Sequence, residues 1–274
     1  MALAIGTIKS VVDDATQCLA GTISETPRLD AEVLMAFTLG WPRSRLLAHW
    51  DERLSPSDQA RFDGYVSRRA RGEPVAYIRH LKEFLGLELY VDERVLIPRP
   101  ETELLVQLAT TWLRDHGPCR VVDLGTGSGA IAIGILSAYP DARVIATDAS
   151  AEALQVAELN AARHGVKLEL RYGHLLEPIE GPIDLVVANL PYLSQAEFDL
   201  LQHTSIGFEP RMALTDGGDG RRLFDELFVQ MRERDVPAVL LEVGSQRVEP
   251  PSEYWATFHP DYAGLPRVLE LNRR

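Results

Sequence analysis

The sequence predicts an α/β protein whose mostly parallel sheet follows a small helical bundle and a β-hairpin connector. Three observations predict this fold. Strand-like and helix-like segments alternate from Cys119 onward, a pattern typical of a sheet covered by helices on both faces. Residues 7–72 instead carry apolar residues at helical spacing, and residues 83–97 switch to the apolar alternation of strands. We therefore divide the chain into a helical domain at 1–80, a hairpin linker at 81–100 and an α/β domain at 101–274.

The composition is that of an ordinary globular protein. The chain has 274 residues, of which 46% are hydrophobic and 25% are charged. Its formal net charge of -12 weighs against a partner held mainly through nucleic-acid phosphates, because that mode of binding needs a concentrated basic surface. The sequence contains no membrane-spanning apolar run and no signal-peptide pattern, so we expect a cytoplasmic protein without membrane contact.

The cysteines and histidines do not indicate a metal site. Cys18 and Cys119 are too few and too isolated for a disulfide framework or a zinc site, and we interpret both as packed thiols. The histidines are scattered without ligand spacing, so we predict that no metal is bound.

Three helices are predicted in the first domain. Their bounds, taken from apolar periodicity and capping residues, are Thr7–Leu19, Thr26–Leu39 and Ser55–Gly72. The second and third begin with Thr-Pro and Ser-Pro, an N-cap residue followed by proline at the first helical position.

The connector is predicted to be a hairpin. Apolar residues alternate over 85–91, a polar break follows at 92–94, and an apolar run resumes at 95–97. Two prolines then stiffen the chain before a helix that begins near Glu101. The rigidity of segment 98–103 suits a fixed wall of a binding site.

The second domain is predicted to contain five strands with helices between them. The strands are Arg120–Leu124, Arg143–Thr147, Lys167–Tyr172, Ile183–Ala188 and Ala238–Val243, and the helices lie near 129–138, 150–163 and 221–234. Ligands of such sheets bind beyond the carboxyl ends of the strands, where the strand order reverses.

A glycine-rich loop follows the first of these strands. Residues 123–129 read D-L-G-T-G-S-G and lead into a helix, so that backbone N–H groups can approach a ligand without intervening side chains. Asp148 ends the next strand, where its carboxylate can accept both hydroxyl groups of a ribose. The pair indicates an adenosine-containing cofactor without identifying it. The alternative interpretation is a tight turn and an acid that caps a helix.

The tetrapeptide Asn189-Leu190-Pro191-Tyr192 follows the fourth strand. The Asn189 side-chain oxygen and the Leu190 carbonyl can each accept one hydrogen of a planar NH2 group, while the Tyr192 ring packs on its face. Taken alone, the tetrapeptide is better explained as the exit from a strand into a loop than as a catalytic site. Its predicted position beside the glycine loop and Asp148 favours a methyl donor over a nicotinamide cofactor, because only a methyl donor has a use for a held amino nitrogen.

Several longer motifs then identify a family resemblance. They are G-E-P-V-A-Y-I at Gly72–Ile78, E-F-L-G-L at Glu83–Leu87, V-L-I-P-R-P-E-T-E at Val95–Glu103, D-L-G-T-G-S-G-A-I-A at Asp123–Ala132, E-P-R-M-A-L at Glu209–Leu214 and G-G-D-G at Gly217–Gly220. With these motifs nearly the whole chain resembles the PrmC/HemK family, the protein-(glutamine-N(5)) methyltransferases that modify the glutamine of the Gly-Gly-Gln motif in class-1 peptide chain release factors.

The resemblance implies a class I, Rossmann-like methyltransferase that uses S-adenosylmethionine, with release-factor docking by residues 1–80 and catalysis by residues 101–274. It implies a monomer that has a release factor as its partner and no direct contact with nucleic acid. By resemblance, the cofactor is held by Gly125, Thr126, Gly127, Ser128, Gly129, Asp148, Leu175 and Asn189, and the substrate glutamine by Asn189, Leu190, Pro191 and Tyr192.

The sequence departs from the family pattern at four places, one of which is His80, where the family usually has glycine in the Y-I-x-G-x-x-E-F segment. Leu190 stands where the family has its first proline, and we expect its carbonyl to serve equally. His174 replaces an aspartate on the loop expected near the adenine, and the short spacing from Gln246 to Asp261 indicates a shortened or lost helix before the last strand.

The N-L-P-Y form also resembles the adenine-N(6) dimethyltransferases of ribosomal RNA. Two alternatives therefore stay open beside glutamine methylation. One is methylation of an adenine amino group in nucleic acid, and the other is a cofactor-binding module that has lost turnover.

Overall fold

The computed structural model describes residues 6–244 and 248–274. The chain forms two compact units: Met1–His80 with Gln202–Phe208, and Leu81–Leu201 with Glu209–Arg274. Within the described residues, no helix is both long enough and apolar enough to cross a membrane.

The first unit is helical. Its helices, among the described residues, are α1 (Ile8–Ala20), α2 (Pro27–Leu39), α3 (Arg43–Ala48), α4 (Pro56–Ala70) and α5 (Val75–Arg79). Of the two predicted caps, Ser55 accepts a hydrogen bond from the Asp58 N–H at the start of α4. The side chain of Thr26 makes no capping bond and donates to Asp30 instead, whereas Thr7 caps α1 without having been predicted. The three predicted helices are thus confirmed. The six-residue α3 and five-residue α5 are too short to produce a periodic signal.

A buried ion pair organises the interior of this unit. Arg69 Nε lies 2.6 Å from Asp30 Oδ2, which also accepts a hydrogen bond from Ser24. Arg69 donates a further bond of 3.0 Å to Ser205 Oγ, so the segment 202–208 packs into the helical unit although it lies far along the chain. The expectation that Cys18 is a packed thiol is wrong, because its position on α1 faces solvent.

The hairpin is much tighter than predicted. Its strands are β1 (Lys82–Phe84) and β2 (Leu87–Leu89), and the turn lies at Leu85 and Gly86, both with positive φ. The expected break at 92–94 and strand at 95–97 are therefore corrected: neither segment belongs to the hairpin. The sequence did not reveal this turn, because the apolar alternation continues through it. Leu85 fits the strand pattern although its backbone reverses direction there.

The second unit contains a seven-stranded sheet flanked by helices. In chain order its main elements are α6 (Thr102–His116), β3 (Arg120–Leu124), α7 (Ala130–Ala138), β4 (Arg143–Asp148), α8 (Ala151–Arg163), β5 (Glu169–Tyr172), β6 (Leu185–Ala188), α9 (Gln195–Leu201), α10 (Arg222–Glu233), β7 (Ala238–Glu242), β8 (Tyr254–Pro260) and β9 (Pro266–Arg273). The strand order is β5-β4-β3-β6-β7-β9-β8, with the first five strands parallel and the last two antiparallel to their neighbours.

Two apolar layers cover the two faces of this sheet. Successive β3 residues alternate between them: Val121 packs with α6 and α7, and Val122 packs with α10 on the other face. The chain order reverses between β3 and β6, and this is the crevice where the sheet is expected to bind its ligand. The observed architecture confirms the predicted mostly parallel α/β fold.

The carboxyl-terminal part contains two strands, β8 and β9, beyond the five whose ranges were predicted. Strand β8 forms the outer edge of the sheet, paired with β9. The expected loss of a helix rested in part on Gln246, which lies outside the described residues. Residues 248–253, directly before β8, are not helical.

Candidate active site

The glycine loop turns sharply at the carboxyl end of β3. Gly125, Gly127 and Gly129 have φ values of 67°, 54° and 82°, a region that side chains rarely adopt. A Cβ on Gly127 would meet no atom within 4 Å, so this residue faces open space. A Cβ on Gly129 would lie 2.9 Å from Ile133 Cδ1, so this glycine is required for packing of the helix instead.

Asp148 is tied to the glycine loop by its own side chain. Its Oδ2 accepts a 2.9 Å hydrogen bond from the Gly127 N–H, and its Oδ1 accepts one of 2.8 Å from the Ser150 N–H. Burial raises the pKa of this carboxyl group, while these bonds oppose the shift. Each oxygen keeps a lone pair for a ribose hydroxyl, so Asp148 combines loop bracing with the capacity to bind a ribose.

Asp123 is fully buried beneath the loop. Its Oδ2 accepts a 2.7 Å bond from Thr126 Oγ1, whereas Oδ1 has no hydrogen-bond partner in the described part of the chain. Burial raises the pKa of this carboxyl group to about 7. The buried carboxyl group therefore braces the glycine loop from beneath, through its bond with Thr126.

The buried Asp123 predicts a specific dependence of stability on pH. Because the folded-state pKa lies above the unfolded value, the folded protein loses stability as pH rises from about 4 to 7. We expect Asp123→Asn in cofactor-free protein to unfold like wild type near pH 4 and to be more stable at pH 8, by up to about 4 kcal/mol. Urea unfolding across this range measures the difference. A constant gap between the two proteins at every pH would contradict the account.

Asn189 follows β6 directly and belongs to a buried hydrogen-bonded series. Its Nδ2 lies 3.2 Å from Thr102 Oγ1, and the Thr102 hydroxyl donates a 2.6 Å bond to Glu242 Oε2. Thr102 and Glu242 are only 3% and 1% exposed. A Cβ on Gly125 would lie 3.9 Å from the Asn189 carbonyl oxygen, which places the tetrapeptide against the glycine loop.

Tyr192 is held by the segment that contains the G-G-D-G motif. Backbone bonds from Leu193 N–H to the Leu214 carbonyl and from Gln195 N–H to the Gly218 carbonyl tie the two segments together. Gly220 approaches so closely that a Cβ there would lie 2.2 Å from the Tyr192 carbonyl oxygen. Burial, with Glu242 nearby, raises the pKa of Tyr192 to about 12, so its hydroxyl stays protonated and does not act as a base near neutral pH.

An ion pair holds the predicted wall of the site. Buried Glu209 accepts bonds of 2.9 Å from the Ile97 N–H and 2.5 Å from the Arg99 guanidinium. Glu103, next to Thr102, accepts a bond from the Leu85 N–H at the hairpin turn. Glu209 and Glu103 therefore brace backbone segments around the site.

A cavity of about 330 Å³ lies at the carboxyl edge of the sheet. Of the predicted site residues it is lined by Gly125, Gly127, Asp148, Leu175, Asn189, Leu190 and Pro191. The remaining four, Thr126, Ser128, Gly129 and Tyr192, do not line it. Thr126 turns its side chain inward to Asp123, and the roles of all four stay predictions.

The sequence analysis missed several residues that line this cavity. They include Arg94, Val95, Leu96, Ser150, Met212, Asp216 and Arg222. The first three lie at the start of the V-L-I-P-R-P-E-T-E block or next to it, so the block itself was the available signal. His174 also lines the cavity, with Nε2 2.7 Å from Glu226 Oε2, and the neighbouring Leu175 has a left-handed backbone.

A larger hollow of about 960 Å³ lies at the opposite edge of the sheet. It is lined by residues at the amino ends of β3 and β4, including Arg120 and Arg143. It contains neither the glycine loop nor the tetrapeptide, so we assign the site to the smaller cavity.

Two family models match the chain. One, described as PrmC N-terminal domain, matches residues 10–79, and one, described as Methyltransferase small domain, matches residues 101–228. The release factor glutamine methyltransferase of Koribacter versatilis is 37% identical over 272 residues, which cover 96% of this chain and 97% of that protein. The protein of the same name from Bordetella pertussis is 45% identical over 196 residues, covering 71% and 72%.

Solved structures agree on the fold. The hMettl16 catalytic domain in complex with a MAT2A 3′UTR hairpin matches with a TM-score of 0.55 at 13% identity, covering 80% of this chain and 81% of that chain. At this identity the likeness concerns the fold alone. Together with the match to the Methyltransferase small domain, it confirms the predicted class I methyltransferase fold.

Proposed function

We propose a function from the premise that the chain belongs to the PrmC family of release factor glutamine methyltransferases. It is an enzyme that transfers a methyl group from S-adenosylmethionine to the side-chain amide nitrogen of a release-factor glutamine. The glutamine is that of the Gly-Gly-Gln motif in class-1 peptide chain release factors.

One observation carries the proposal beyond family membership. Asn189 and Leu190 line the same cavity as Gly125, Gly127 and Asp148. An acceptor pair for an NH2 group thus lies beside a loop shaped for an adenosine-containing cofactor. This combination suits methylation of a planar nitrogen.

The cofactor assignment uses groups of this chain. Gly127 leaves the loop backbone open to a ligand, and the Asp148 carboxylate suits the ribose hydroxyl groups. Leu175 offers apolar packing, and we propose supporting roles for Thr126, Ser128 and Gly129 in shaping the loop. When bound, S-adenosylmethionine supplies an electrophilic methyl group.

The tetrapeptide prepares the poorly nucleophilic amide nitrogen for attack. We assign acceptance of its two hydrogens to Asn189 Oδ1 and the Leu190 carbonyl, which increases electron density on the nitrogen. Pro191 fixes the turn, and Tyr192 packs against the amide plane. Holding two reactants in attack geometry contributes about 7 to 11 kcal/mol to the lowering of a barrier, so positioning is the main catalytic effect.

The two alternative functions are not favoured. The relatives that match most of the chain are named for methylation of a release factor, whereas the likeness to RNA-modifying enzymes concerns the fold alone. Loss of turnover is not favoured either, because leucine at 190 retains the carbonyl on which the proposed contact depends. We also propose that the protein acts as a monomer without nucleic acid, and that the helical unit docks the release factor.

Methyl transfer from labelled S-adenosylmethionine tests this function. We expect label on a class-1 release factor, none on a release factor whose Gly-Gly-Gln glutamine is replaced by alanine, and none on ribosomal RNA. Label on RNA alone would refute the proposal. Bound cofactor without transfer to any acceptor would support the binding-module alternative instead.

A further inference from the structure

The side chain of Asn189 is oriented by two buried residues outside the tetrapeptide. Its Nδ2 meets Thr102 Oγ1 at 3.2 Å, and Thr102 Oγ1 lies 2.6 Å from Glu242 Oε2. Thr102 opens α6 and Glu242 ends β7, so the series joins three elements that are remote in sequence. We call these three residues the Asn189 relay.

When Glu242 is ionised, the hydrogen-bond donors and acceptors of the relay allow only one orientation of the Asn189 side-chain amide. A carboxylate only accepts, so the single hydroxyl hydrogen of Thr102 is used in the bond to Glu242. Thr102 Oγ1 then offers only lone pairs to Asn189. The Asn189 group that meets it must therefore be the NH2, and Oδ1 must lie on the other side of the amide.

This orientation decides whether Asn189 can serve the substrate. The terminal torsion of asparagine is broad, so an isolated side chain exchanges its oxygen and nitrogen readily. A flipped Asn189 would present its NH2 to the NH2 of the glutamine, and two donors would face each other. We propose that Glu242, through Thr102, keeps Asn189 Oδ1 towards the substrate nitrogen and that protonation of Glu242 releases this constraint. This inference rests on the proposed function, since it concerns the orientation of the same substrate clamp.

The charged groups around Glu242 set the pH at which Glu242 is protonated and Asn189 becomes free to flip, and this pH lies in a range where the enzyme can be assayed. Burial raises the pKa of Glu242 to about 6, and the nearby Glu101 also raises it. The hydrogen bond from Thr102 and the positive charges of Arg267 and Arg99 oppose the shift. Tyr192 also faces Glu242, but its raised pKa keeps it neutral.

Protonation of Glu242 changes which relay groups donate hydrogen bonds and which accept them. A protonated Glu242 donates its hydrogen to Thr102 Oγ1, and the Thr102 hydroxyl is then free to donate to Asn189 Oδ1. Both orientations of Asn189 become available. We therefore expect kcat to fall as pH decreases through about 6, with cofactor affinity unchanged.

Substitutions at Thr102 test whether its hydroxyl group orients Asn189 or only supports the fold. Thr102→Val keeps the shape and removes the hydroxyl group, and we expect kcat to fall about 10- to 100-fold, while Thr102→Ser restores it to within a few-fold of wild type. Thr110→Val is the matched control on the same helix, because it also removes a buried hydroxyl, one that donates only to the Val106 carbonyl. We expect Thr110→Val to leave kcat unchanged. Wild-type kcat in Thr102→Val, or equal losses in the Val and Ser variants, would overturn the inference.

Nuclear magnetic resonance of the Asn189 side-chain amide tests the relay without any turnover. In wild type we expect its resonances to shift with a midpoint near pH 6, and in Glu242→Gln we expect this titration to vanish together with the acidic decline of kcat. Resonances that do not respond to pH in wild type, or that titrate equally in Glu242→Gln, would contradict the inference. Absence of methyl transfer by the wild-type enzyme would refute the proposed function, whereas the resonance data would still decide on the relay.

Discussion

We expect Asn189→Ala to lower kcat by about 10²- to 10³-fold and to leave the affinity for S-adenosylmethionine nearly unchanged. The magnitude is that of losing one preorganised hydrogen-bonding group at a reacting atom. The cofactor is spared because Asp148 and the glycine loop, rather than the Asn189 side chain, carry its proposed contacts. Steady-state kinetics with a release factor and calorimetry with the cofactor measure the two effects separately.

Asn272→Ala is the control for this substitution. Asn272 also lies in the second unit, and its side chain donates to Glu270 on the same strand, β9. We expect Asn272→Ala to retain wild-type kcat. A parallel fall of kcat and cofactor affinity in Asn189→Ala would show that Asn189 serves the cofactor as well, which would contradict the assignment of its side chain to the substrate.

Gly220→Ala disrupts the tetrapeptide loop more severely than any other single substitution that we consider. A Cβ at this position would lie 2.2 Å from the Tyr192 carbonyl oxygen, and φ there is +80°. We expect overpacking and left-handed strain together to lower the free energy of unfolding by about 3 kcal/mol. Because relief of the contact displaces Tyr192, we also expect kcat to fall by at least the factor expected for Asn189→Ala.

Gly217→Ala separates the cost of left-handed backbone strain from the cost of a steric clash with Tyr192. Gly217 belongs to the same motif and has φ of +77°, but a Cβ there would meet no atom within 4 Å. We expect a loss of only about 1 kcal/mol and near-normal kcat. Urea unfolding and steady-state kinetics of the two variants give the comparison. Equal behaviour of both variants would mean that the approach of Gly220 to Tyr192 is unimportant.

The bounds of the central strands were predicted closely, because their β-branched residues and turn residues indicate the same segments that burial does. Strand β3 begins and ends at the predicted residues, since a valine-rich run is followed at once by the glycine loop. Strand β8 was missed because it is an edge strand whose middle residues are exposed, so its apolar pattern is weak. The turn at Leu85 was missed because a leucine with positive φ contradicts residue preferences.

The residues of the candidate site that belong to short local motifs were predictable from the sequence. The glycine loop, Asp148 and the tetrapeptide all follow strands of one parallel sheet, so their meeting at one edge follows from topology. The link from Thr102 to Glu242 spans 140 residues and depends on how α6 packs beside β7. Single-sequence reasoning offers no local pattern for such a pair.

Tandem mass spectrometry of the methylated product tests the central claim most directly. After incubation of the enzyme with S-adenosylmethionine and a class-1 release factor, the account predicts one added methyl group on the side-chain nitrogen of the Gly-Gly-Gln glutamine. It also predicts that Asn189→Ala leaves this peptide almost unmodified under the same conditions. A methyl group on any other residue of the release factor, or an unmodified glutamine after prolonged incubation with wild-type enzyme, would contradict the account.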